Sequence, residues 1–380
     1  MKNTCYFLFA LLPGWFSAGA QSVIQLGTPF IADQGYSLLF TQDGGFVTSA
    51  QRNNRPVLYK TDCAGNLLAE IEKPVAPGRF FEAVELSDGS IVAAGSAVVP
   101  TPFDTLERVL LLKTGADLVE KNIAGFLILG KAARAKSLSV AANGDLLVFG
   151  EVTGSLSDYT DLFLQRVNPN TLQPLGAPVI LNNGVDVATE IYRTATNQYL
   201  LTGSSYAGNL LDSNAVIQNS LHAISVNESG DVLWQYTYRD SFLLKYGLSV
   251  AGGVERNAAT GNLTLVGTVW SGNIVAQLDV CFFLLDNATG NLLDTAMRTI
   301  PERQRIYGIT GFSLTPGAYL AVGDSDNPVL GTPNVLGVYA LEQGGKFLGT
   351  DLLFDPASPV SVSDVIEIGQ NRTALLATLP

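Results

Sequence analysis

One phrase recurs seven times along this chain of 380 residues: a short apolar strand, a tight turn, and a second apolar strand that usually ends near Gly. It is plainest in residues 35–49 (GYSLLFTQDGGFVTS), 82–96 (EAVELSDGSIVAAGS) and 136–151 (KSLSVAANGDLLVFGE). The turn markers are Gly44, Gly89, Gly144, Gln198, Gly261, Gly317 and Gly369. They fall roughly 45 to 63 residues apart, the spacing of four short strands with their connections, which is the unit of a propeller blade. Helical periodicity is absent over any useful length, so the chain is read as all-β. We expect a β-propeller of seven blades, its incomplete last blade closed by the N-terminal strand 23–26; six blades is the alternative. An open ring would leave apolar strand edges exposed.

Within each unit, dipeptides such as Asp43-Gly44 and Asp88-Gly89 suit a hairpin, because they tolerate positive φ. The third strands carry unbroken apolar runs, such as 109–112 (VLLL) and 281–285 (CFFLL). Such runs fit a sheet buried on both faces between neighbouring blades. The innermost strands align Ser37, Ala83, Ser137, Gly247 and Gly308 in one column, together with Glu190 and Asp364. Small residues are expected where blades converge on the channel. The two acids are either part of that packing or hold an ion in the channel.

Residues 1–20 read as a signal peptide: Lys2, then an apolar stretch 5–12 (CYFLFALL), then small residues Ala18-Gly19-Ala20 before Gln21. The apolar stretch is too short to span a bilayer, and no second one follows. The expectation is a single propeller domain over 21–380, exported to the periplasm, the cell surface or the medium, and monomeric. Acids outnumber bases 34 to 22, for a formal charge of −12. Such a surface has nothing to replace the counterions of a phosphate backbone, so nucleic acid is excluded as a partner. Past residue 20 only Cys63 and Cys281 remain. They fall in repeats far apart and read as buried, inert thiols rather than a disulfide.

The segments DGGFVTSA, VLYKTDCAGNLLAE and NESGDVLWQYTY resemble propeller repeats of exported Bacteroidetes-type bacterial proteins, and are similar to the delta-sixty repeat. The resemblance covers most of 34–380. It implies the propeller fold and export, and its motifs mark turns and strand ends rather than a site. The secretion-sorting domain that often follows in such proteins is not in this sequence.

Catalytic signatures are scarce. His222, the only histidine, sits mid-strand and cannot anchor a triad or a two-histidine metal site. No phosphate loop or dinucleotide fingerprint occurs, and no cofactor is implied. Asp324 and Asp326 form a compact oxygen cluster of the kind calcium favours, but the metal-loop Gly is missing and Pro328 follows. The connections between second and third strands are long and lie on one rim, where variable surface concentrates. They carry Phe103, Tyr159 and Tyr206, with Trp270 at an edge. Aromatics among Asp and Asn suit sugar or peptide recognition. The function expected from sequence is a non-catalytic binding or scaffold propeller with a glycan or protein ligand on that rim. The alternative is a carboxylate-based glycan-active hydrolase or lyase, and convergence of carboxylates in a pocket or in the channel would discriminate the two.

Overall fold

The computed structural model describes residues 4–8, 23–26, 33–100, 104–153, 160–181, 185–207, 218–239, 250–270, 278–298, 303–311, 318–327, 332–341, 347–353, 361–368 and 373–379. Among them there is no helix, and the strands form seven four-stranded antiparallel sheets. In six sheets the spatial order of strands follows the chain. The innermost strands are Asp33–Phe40, Gly78–Glu85, Ala133–Val140, Val185–Ala195, Val250–Arg256, Arg303–Gly311 and Ser361–Glu367. Each packs against the innermost strand of the next blade, and the last packs against the first, so the ring closes. This is the all-β propeller expected from the repeats, and its seven sheets agree with the seven-bladed reading. Of the turn markers, Gly317 and Gly369 lie outside the described residues.

The first hairpin turns form as their composition dictates. Gly44 adopts φ +82°, and its N–H donates to the Thr41 carbonyl at 2.8 Å. The turn acid is then tied to a base on the third strand. Lys60, 3% exposed, donates to Thr41 Oγ1 at 2.9 Å and pairs with Asp43 at 2.8 Å. Arg166 pairs with Asp145 at 2.5 Å in the third blade. Burial opposes ionisation of Asp43, but hydrogen bonds from Lys60 and Thr41 outweigh it and hold the carboxyl down at about 2. The Asp and Lys of the repeat phrase are therefore blade fasteners.

Both faces of a blade are apolar because each belongs to a different core. In the second blade, Ile91, Ala93, Leu110 and Leu112 pack toward the first blade, while Val92, Ala94, Val109 and Leu111 pack toward the third. Alternation thus persists within the unbroken apolar runs, but it separates two cores rather than core from solvent.

The last blade differs from expectation. Its strands run Ser361–Glu367, Thr373–Leu379, Thr4–Leu8 and Val23–Leu26, so Val23–Leu26 joins the blade only as the outermost strand. The strand between comes from residues read as leader, and the blade is complete rather than partial. Cys63 and Cys281 are free, but Cys63 is exposed and only Cys281 is buried. His222 is buried in its strand, with Nδ1 3.0 Å from Thr237 Oγ1.

Candidate functional site

Every innermost strand loses register at one common level, and Val185–Ala195 does so a second time between Arg193 and Ala195. One extra residue is inserted opposite the second strand: Tyr36, Phe81, Lys136, Thr189, Gly252, Tyr307 and Ser363 in successive blades. A bulge of this kind re-aims side chains and leaves a backbone N–H unpaired. Here the seven bulges direct two tiers of residues into a central cavity of about 440 Å³. The first tier is the inserted residues. The second is the residue following each: Ser37, Glu82, Ser137, Glu190, Gly253, Gly308 and Asp364.

This second tier corrects the column expected from sequence at two places. Glu82 occupies the position assigned to Ala83, and Gly253 occupies that assigned to Gly247, which lies outside the described residues. The change matters chemically, because a third carboxyl group joins Glu190 and Asp364.

The tier also locks the hub. Leu138 N–H donates to Glu82 Oε2 at 3.0 Å, and Ile191 N–H donates to Ser137 Oγ at 3.0 Å. Val254 N–H reaches Glu190 Oε2 at 3.2 Å, and Leu38 N–H reaches Asp364 Oδ2 at 2.7 Å. Each bond runs from the residue after one blade's tier position to the tier side chain of the preceding blade. Asp364 also accepts from Val365 N–H at 2.7 Å. Blades five and six place Gly253 and Gly308 in the tier, and the cavity opens beside them.

Burial dominates the electrostatics. It raises Glu82 to about 7, against hydrogen bonds from Ser137 and Leu138 and with the help of Asp364. It raises Asp364 to about 7 as well. Glu190 is pushed well above the ordinary carboxyl range, by burial first and then by Glu82 and Asp364. Like charges that cannot all ionise in one low-dielectric space behave this way. Burial also lowers Lys136, only partly offset by Glu151. Farther along the wall, Tyr192 donates to Glu255 Oε1 at 2.8 Å. Among the described residues, no three His, Cys, Asp or Glu side chains are grouped to hold a metal ion.

Phe103 and Tyr159 lie outside the described residues. Tyr206 and Trp270 are in strands Gln198–Ala207 and Leu263–Trp270, opposite Val185 and Leu278, and their side chains lie outside what is described. Asp324 and Asp326 lie in strand Tyr319–Asn327. The Asp324 carboxylate is engaged by Arg305 at 3.0 Å and by the Tyr307 hydroxyl at 3.0 Å. Glu82, Phe81 and Lys136 were missed by sequence reasoning, although Glu82 stands as far before Gly89 as Ser37 and Ser137 stand before Gly44 and Gly144.

No protein-family model matches the chain, and no curated protein matches it. Solved structures do. The periplasmic gluconolactonase PpgL of Pseudomonas aeruginosa is similar at TM-score 0.57 and 16% identity, over 92% of this chain and 98% of that one. A protein from Lactobacillus plantarum is similar at 0.52 and 12%, over 92% and 96%. Drosophila Plexin A, in complex with Semaphorin 1b, is similar at 0.50 and 8%, over 91% and 85%. At these identities the likeness establishes the fold, and nothing in it carries the narrower resemblance to delta-sixty repeats. The expectation of a non-catalytic binding or scaffold propeller is corrected. An enzyme stands among the similar structures, and three carboxyl groups converge in the channel, which is the condition set for the catalytic alternative. Among the described residues no helix is long and apolar enough to cross a membrane.

Proposed function

We propose that the protein is an exported hydrolase acting on a sugar-derived substrate, a glycoside or a sugar lactone, in the central channel. The observation that carries this reading is the meeting of Glu82, Glu190 and Asp364 in one cavity, with proton affinities displaced toward neutrality. A carboxyl group that titrates near the working pH exchanges protons with least penalty, and carboxyl pairs with separated affinities divide into acid and base.

The roles follow from local bonding. Glu190 is held protonated and serves as the acid. Asp364 accepts backbone N–H groups on both oxygens, which favours its ionised form relative to its neighbours, and serves as the base. Asp364 takes a proton from water as the water oxygen attacks the substrate carbon. The C–O bond to the departing oxygen breaks, and that oxygen takes the proton of Glu190. Glu82, bonded to Ser137 and Leu138, adjusts the charge between them. The gluconolactonase among the similar structures makes sugar lactones the first substrates to try. Export, with cleavage after Ala20, rests on the leader pattern and is part of this reading, as is the narrower likeness to exported Bacteroidetes-type repeat proteins.

The test is turnover on a panel of aldonolactones and nitrophenyl glycosides. At least one member should be hydrolysed, and Glu190→Gln and Asp364→Asn should each lower kcat by about 100-fold or more. Absence of turnover across the panel, or variants within threefold of the parent, would overturn the assignment.

A further inference from the structure

Lys136 lines one side of the channel, and the proposed proton chemistry uses neither it nor its neighbours Arg79 and Arg134. The inserted residues of the first three blades form a continuous patch. Tyr36 packs on Phe81 at 5.0 Å between ring centroids, and the Lys136 ammonium lies 4.4 Å from the Phe81 centroid. The Arg79 guanidinium approaches the same ring at 5.5 Å. Arg134 stands on the same strand as Lys136.

These three cations are short of anions. Glu107 is taken by Arg134 at 3.0 Å. Glu151 is shared between Arg134 and Lys136, each at 3.7 Å, and also accepts Ala188 N–H at 3.1 Å. Neither 3.7 Å contact is a hydrogen bond. Among the described residues no carboxylate forms an ion pair with Arg79. Burial presses the Lys136 ammonium toward neutrality; Glu151 and Glu107 oppose this, while Arg134 and Arg79 add to it. Two carboxylates, Glu107 and Glu151, thus serve three cations on this wall, and an anion seated beside Lys136 would supply the missing partner.

We infer that Lys136, with Arg79 across Phe81, forms a carboxylate-binding subsite, and that the substrate is an acidic sugar of the uronate class. This rests on the channel being the reaction site, and it adds the feature that selects the substrate. The ring of Phe81 lies under the sugar's apolar face, and Lys136 holds the carboxylate end. The carboxyl tier then meets the remainder of the ring.

The test is calorimetric titration of the full chain with D-glucuronate, D-galacturonate, D-glucose, D-galactose and inorganic sulfate, at low and physiological salt. The uronates should bind at least tenfold tighter than the matching neutral sugars and tighter than sulfate. Lys136→Met and Arg79→Gln should each reduce that preference at least fivefold, with Lys136→Arg restoring most of it. Melting temperatures measured alongside separate a purely structural role, which would shift melting and leave the preference intact. Equal affinity for uronate and neutral sugar, a preference for sulfate, or a preference that survives Lys136→Met would overturn the inference. Hydrolysis of neutral substrates that still requires Glu190 would leave the hydrolase reading standing while this one falls. Uronate preference without any turnover would do the reverse.

Discussion

Glu82 and Asp364 are useful to a reaction because they are unfavourable to the fold. Each accepts a backbone N–H from the next blade, so each fastens the hub. Yet burial raises both to about 7, which means that the folded state holds their protons more tightly than the unfolded chain does. Between the ordinary carboxyl values near 4 and the folded values near 7, the native state binds more protons than the unfolded state. Stability contributed by these groups is therefore complete below about pH 4, falls as pH rises to about 7, and is flat above that. Each unit of displacement corresponds to about 1.4 kcal/mol. Asp43, held down at about 2, contributes in the opposite sense and only at the acid extreme. Thermal melting as a function of pH should thus show a decline from pH 5 to 8. Glu82→Gln and Asp364→Asn keep an oxygen acceptor for the Leu138 and Leu38 amides and remove the ionisation. Each variant should melt higher than the parent at pH 8 and show a shallower decline. A parent that melts equally at pH 5 and pH 8 would place these carboxyls in contact with bulk water.

The bulged innermost strand is the element that turns a repeat into a site, and it also explains the Gly that recurs in the second strand. Gly95, Gly150, Gly203 and Gly323 are the register partners of Phe80, Ala135, Ala188 and Ile306, the last residues before each bulge. A Cβ at Gly95 would collide with the Arg79 carbonyl, and one at Gly203 would lie 2.6 Å from the Val187 carbonyl. In the first blade the small residue has crossed the ladder: Gly35 pairs with Ala50. Gly95→Ala should therefore destabilise by about 1–3 kcal/mol, as overpacking does, and should displace Arg79 and Phe81. Equilibrium denaturation with intrinsic fluorescence reads the first effect; a Gly95→Ala protein as stable as its parent would mean that the bulge relaxes freely. The repeats, the hairpin turns and the doubly buried strands were legible in the sequence because each follows from local pattern. The tier was not. The Ala83 assignment is a one-residue slip: Glu82, not Ala83, stands seven residues before its turn Gly, as Ser37 and Ser137 do. Phe81 and Lys136 are hidden because a bulge breaks the period of two, and alternation alone assigns an inserted residue to no face. The rim aromatics drew attention by composition, whereas the channel groups act through positions that seven separate strands bring together.

The seventh blade is completed by a segment that the sequence reads as dispensable, although the innermost strands close the ring without it. Thr4–Leu8 runs antiparallel to Thr373–Leu379, with Tyr6 opposite Ala377, and Val23–Leu26 runs antiparallel to Thr4–Leu8. Val23–Leu26 is consequently parallel to Thr373–Leu379. It cannot take the vacated position in an antiparallel ladder by sliding; it would have to reverse direction. Cleavage after Ala20 would remove the bridging strand and leave the edge of Thr373–Leu379 without its partner, a template for pairing with another chain. Two preparations address this: the chain from Met1 and the chain from Gln21. Mass spectrometry of exported material should give Gln21 as the first residue. The Gln21 chain should then melt below the full chain, and amides of 373–379 should exchange faster with solvent, because an edge strand loses half of its ladder. The six other sheets contain no residue before Asp33, so their exchange should be unchanged. Equal protection of 373–379 in both preparations would show that Val23–Leu26 reverses to pair there directly. Retention of Met1 on exported material would instead make Thr4–Leu8 a permanent part of the seventh blade.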